Sequence, residues 1–171
     1  SHPDSMEAVS TLMLDGSVLS SRMTDDIIRV VVRSGPTGFD WTYPEGNGIR
    51  SERRATEATK KLLEESTLEN WVPWYVLESH GTGPTPDGPV LSCDQVGHPG
   101  EFSGLSMLSI LSIDLDADLE PGNSVGLMAE GETIYASSDN LYIATSPWMS
   151  WPTARWEEGS SENEPLTTQI H

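Results

Sequence analysis

Residues 141–145 place Leu141 and Ile143 in alternation with Tyr142 and Ala144, so successive side chains leave opposite faces of an extended chain. The polar stretch Ser137-Ser138-Asp139-Asn140 supplies a tight reversal before them, and Ile134 and Tyr135 lie on its other side. The pattern predicts a hairpin whose first strand begins near Ser124 and runs through "VGLMAEGETIY". A looser copy stands near the other end, where Asp26–Val32 overlays Asp139–Thr145 with the same parity of large apolar residues. Upstream, Arg22–Asp25 falls on Tyr135–Ser138, and Gly16 falls near Gly131 after a small shift. Both copies read as strand, polar turn, strand.

A further β-rich run, residues 106–116, carries Leu108, Ile110, Ile113 and Leu115 and precedes the second hairpin. Residues 106–145 are therefore expected to form three consecutive antiparallel strands, with "TTQIH" at 167–171 opening a fourth. Recurring strand groups of this kind suggest propeller blades. The offset between the two copies far exceeds one blade, which requires an insertion over residues 35–100.

The clearest element of that insertion is a helix over 51–66. Ala55, Ala58, Leu62 and Leu63 share helical spacing, and Glu57/Lys61, Lys60/Glu64 and Lys61/Glu65 are i,i+4 pairs of opposite charge. "STLE", residues 66–69, fits a capping box that starts a short second helix before Pro73. Trp71, Trp74, Tyr75 and Val76 form an aromatic patch expected to dock the insertion on the sheet, and residues 79–89 read as loop. Residues 1–6 read as a tag or linker remnant, which leaves 15–34 as a first blade hairpin and 106–171 as a second blade within a single domain of 171 residues.

Charge narrows the range of partners. Nine Lys and Arg against 27 Asp and Glu give a net charge of −18. That field repels phosphate backbones and anionic lipid, so neither nucleic-acid binding nor membrane-surface binding is expected. No apolar run approaches the roughly 20 residues of a membrane span, and "SHPDSMEAVS" has neither the basic nor the apolar region of a signal peptide. Cys93, the single cysteine, is either a buried small apolar residue or half of a bridge whose partner lies outside these 171 residues.

Four segments in order, "STLENWVPWYVLE", "LSCDQVGHPGEFSGLSMLSILSIDLD", "GETIYASSDNLYIATSPW" and "TTQIH", resemble the bacterial secreted proteins that carry a C-terminal β-propeller domain. The resemblance covers about residues 7–171 and places the helical insertion between blades. It implies an extracellular or cell-envelope location and further blades in the parent chain. It brings no catalytic or ligand residues with it. An isolated piece of a ring must cover its sheet edges some other way, for instance by forming an oligomer.

Two groups of residues are candidate sites. In "DLDADLEPGN", Asp114, Asp116, Asp118 and Glu120 alternate, so an extended strand would put four hard carboxylates on one face, as Ca2+ binding would need. Leu119 stands where a calcium loop wants its glycine, so the alternative is a solvated strand end. Of six tryptophans, Trp148, Trp151 and Trp156 lie in a Pro- and Ser-bearing stretch where exposed indoles could stack on sugars or peptides; packing between sheet and insertion is the competing role. Nucleophile motifs are absent: "GLSML" has Leu108 where a nucleophile elbow needs its second glycine. His80, His98 and Cys93 lack the paired short spacings of a zinc site. The expected architecture is mainly β, a partial propeller of about one and a half to two blades of antiparallel sheet with an α-helical insertion. The expected function is a non-enzymatic scaffold for protein, peptide or glycan ligands. The rival readings are a hydrolase completed by the remaining blades and a purely structural surface spacer.

Overall fold

The computed structural model describes residues 7–121, 123–137, 140–145 and 169–170. The N-terminal hairpin joins β2 (Ser17–Thr24) to β3 (Ile27–Ser34). Its loop has two residues, and Asp25 takes the left-handed conformation at φ 53° that a tight reversal needs and a short polar side chain tolerates. β3 pairs along its whole length with β7 (Met107–Asp114), and β7 pairs with β8 (Val125–Met128), all antiparallel. The four strands β2-β3-β7-β8 thus form one meander. A two-residue strand, β6 (Val96–Gly97), adds to β8 in parallel and covers that edge.

This arrangement corrects the grouping expected from sequence. Strands β7 and β8 belong to the sheet of the N-terminal hairpin, not to that of the C-terminal one. The stretch 124–135 is two strands in two sheets: β8 ends at Met128, and β9 (Gly131–Ala136) pairs instead with β10 (Leu141–Thr145). Residues 103–106 cause the break. They hold the corner by hydrogen bonds from Ala129 N–H to the Ser106 carbonyl (2.9 Å) and from Glu130 N–H to the Ser103 carbonyl (2.6 Å). Gly104, at φ 114°, permits the approach, because a Cβ there would collide with the Glu130 side chain. The expected fourth strand appears as β11 (Gln169–Ile170), which extends the sheet in the order β11-β10-β9.

The insertion likewise falls inside the meander, between β3 and β7, and not between two strand groups. It is not purely helical. β4 (Trp74–Ser79) and β5 (Asp87–Pro89) join β1 (Ser10–Leu14) in a third antiparallel sheet ordered β1-β4-β5. The aromatic patch at 74–76 is therefore strand, and the expected loop 79–89 contains β5. Helix α1 (Ile49–Glu64) starts and ends two residues before its expected bounds, and of the expected charge pairs Lys61–Glu65 closes at 3.7 Å on an exposed surface. The capping box after it uses Thr67 and Asn70, one residue beyond the expected pair.

Alternation along β3 and β7 explains how the sheets stack. One face of the meander presents Val30 and Val32 with Met107 and Leu111, which pack with Val72, Val90, Leu91, Leu12, Leu14 and Tyr75 of the β1-β4-β5 side. The opposite face presents fully buried Leu108. Gly131 lies where a Cβ would touch both Leu108 and Ile143, so the β11-β10-β9 sheet closes directly on that face. β9 also comes alongside β2, which brings the first strands of the two hairpins together.

Candidate functional site

β7 runs as extended chain only to Asp114. There the Asp114 carboxylate accepts the Asp116 N–H at 2.9 Å and its carbonyl accepts the Ala117 N–H at 3.4 Å, so 115–117 turn instead of continuing the strand. The turn defeats the expected single face of four acids. Residues 117–121 and Asn123 fold back beside β4, and a groove of about 790 Å³ opens between them. Tyr75, Leu77 and Pro86 supply one wall; Asp114, Asp118 and Glu120 lie on the other, and Asp116 does not line it. Among the described residues no group of three or more His, Cys, Asp or Glu side chains is placed to hold a metal ion. The groove thus combines an apolar wall with separated, exposed carboxylates. Such a surface suits an extended ligand that carries both apolar and cationic groups.

Nothing in the sequence marked Tyr75, Leu77 or Pro86 as groove residues. The available signal was the alternation of Tyr75 and Leu77 within "WYVLES", which puts both side chains on one face of a strand. A second cavity of about 640 Å³ lies at the β1–β2 turn, lined by Asp15, Arg33, Glu69 and Trp74 among others. Two of its charged groups are already committed: Asp15 accepts the Trp74 backbone N–H at 3.2 Å, and Arg33 is itself engaged.

The other sequence candidates have structural partners or lie elsewhere. Trp148, Trp151 and Trp156 fall outside the described residues, as does the expected remnant 1–6. Trp41 and Trp71 flank Phe39 at ring-centroid distances of 5.0 and 5.2 Å, and the Trp71 indole N–H donates to Ser66 Oγ at 2.9 Å. Trp74 donates from its indole to Asp87 at 3.0 Å and so ties β4 to β5. His80 shares a hydrogen bond with Thr11 at 2.8 Å, and His98 lies 2.8 Å from the Pro99 carbonyl. Cys93 is exposed and unbridged. Beside it the Ser92 hydroxyl donates to Asp94 at 2.6 Å; this bond, with help from the backbone N–H of Asp94, holds that carboxyl below its ordinary range.

The four-stranded antiparallel meander, followed at a sharp corner by the first strands of another, is the arrangement of a propeller blade and the start of its neighbour. A family model described as "Beta propeller domain" matches residues 1–171. The chain belongs to the β-propeller domain family. No curated protein and no solved structure gives a significant match to it. In propeller terms, β2-β3-β7-β8 is a blade interrupted between its second and third strands, and β9-β10-β11 is the start of the next. The groove therefore lies where the insertion meets the third strand of a blade.

Proposed function

We propose that this propeller piece is a non-enzymatic interaction module of the cell envelope or extracellular space, and that its groove takes peptide segments bearing Lys or Arg. The observation that carries the reading is the pairing of Tyr75, Leu77 and Pro86 with Asp114, Asp118 and Glu120 across one open groove. Apolar contacts supply affinity, and separated carboxylates select cationic side chains without fixing a reactive geometry. The charge of −18 adds long-range attraction for the same partners. The envelope location rests on the resemblance of segments such as "GETIYASSDNLYIATSPW" to exported propeller proteins.

Fluorescence anisotropy on the whole chain tests the reading with three labelled probes: a Lys- and Pro-containing peptide, its Glu-for-Lys counterpart and a soluble cell-wall glycan. The first should bind, more weakly as salt rises, and the second should not. Equal binding of the two peptides, or binding of the glycan alone, would sink the proposal.

A further inference from the structure

Arg22 and Arg29 are direct cross-strand partners in the β2–β3 hairpin, so their side chains leave the same face side by side. Like charges so placed repel, and the chain has only nine Lys and Arg to place. Among the described residues neither guanidinium has an ion-pair partner. Both line a cleft of about 20 Å³ between the two hairpins, where Thr24 stands on one side and Ser137 and Asn140 on the other. Arg29 is half-buried there, which removes part of the solvent that would otherwise screen the repulsion.

We infer that the Arg22–Arg29 pair is an anion site that takes the carboxylate end of a small organic acid. A cleft of this volume admits about one oxygen-sized group, so one carboxylate oxygen enters between the arginines, and the second oxygen and the remainder of the ligand stay at the rim. Guanidinium forks match the planar pair of carboxylate oxygens. A phosphate has more oxygens to house in the same space. The Thr24 hydroxyl and the Asn140 side-chain amide offer further neutral donors. The site lies between the hairpins of adjacent blades, so occupying it replaces a repulsion with a bridge and couples the ligand to blade packing. It is separate from the acidic groove and does not depend on the function assigned to that groove.

Thermal unfolding of the whole chain at constant ionic strength, with chloride replaced stepwise by acetate, tests the site. The wild type should show a saturable rise in Tm of about 2 °C or more. Arg29→Gln should abolish the rise, and Lys60→Gln with Lys61→Gln on the exposed helix surface should keep it. In chloride alone Arg22→Gln should raise Tm, because the repulsion is relieved. If Arg29→Gln fails to fold, loss of the acetate response in Arg22→Gln reads the same point. No response in the wild type, or a response that survives both arginine substitutions, would overturn the inference, as would a lower Tm for Arg22→Gln in chloride. A larger rise with inorganic phosphate would overturn the carboxylate assignment.

Discussion

The Ser106 hydroxyl donates to the Glu130 carboxylate at 2.6 Å across the corner where the chain leaves one sheet for the next. The bond is partly buried and joins the residue before β7 to the residue before β9. It therefore ties the third strand of one blade to the first strand of its neighbour. Ser106→Ala should cost about 1–2 kcal/mol by leaving a charged acceptor without its donor. Gly104→Ala should cost more, because φ 114° and the Glu130 side chain both oppose a Cβ. Urea unfolding of the two variants measures both, and a Gly104→Ala protein as stable as wild type would show that the corner is not held by this contact.

Leu108 tests the blade interface from the other direction. It is 0% exposed and faces the C-terminal sheet, whereas Leu111, also 0% exposed, faces the β1-β4-β5 side. Truncation of either to Ala should cost about 2–5 kcal/mol through lost transfer energy and the cavity left behind. The two differ in place. Leu108→Ala should speed hydrogen exchange most in β9 and β10, and Leu111→Ala most in β1 and β4. Identical exchange maps would mean that the two faces do not open separately.

The hairpins could be read in the sequence because strand alternation and polar turns are local signals. Ile28, Val30 and Val32 fall in β3 as Leu141, Ile143 and Thr145 fall in β10, each the second strand of its hairpin. Sheet membership is a different kind of property. β3 pairs with β7 across the whole insertion, and β1 with β4 across β2, β3 and α1; alternation along one strand does not name such distant partners. "VGLMAEGETIY" read as one strand because the residues that bend it, Ser103 to Ser106, lie more than 20 positions upstream. The groove was half legible. Its acids stood out, but the wall opposite them depended on the pairing of β1 with β4.

Asp94 gives a pH-dependent check on a small motif. The Ser92 hydroxyl holds its carboxyl below the ordinary range in the folded chain. A depressed folded-state value means that the interaction is fully present above the unfolded value and is lost as pH falls through the folded one. Asp94 is fully exposed, so the effect belongs to this turn and not to global stability. Ser92→Ala should move the Asp94 side-chain titration upward when followed by NMR. An unmoved titration would rule out the hydroxyl as the cause.

Calcium and cationic peptides should part company at the acidic groove. The turn at 115–117 separates Asp116 from Asp114, Asp118 and Glu120, and no described cluster is placed to surround an ion with the six to eight oxygens that calcium takes. A lysine side chain asks less, since one carboxylate within reach suffices while the stem lies on Tyr75 and Leu77. Asp118→Asn and Glu120→Gln should each weaken a Lys-bearing peptide about 2–5-fold, as expected for an exposed ion pair, and both losses should shrink at high salt. Millimolar Ca2+ should raise Tm no more than Mg2+ at equal ionic strength. A saturable rise with Ca2+ that is lost in Asp118→Asn would show that these side chains gather around a metal ion, and the groove would then have to be reassigned as a cation site.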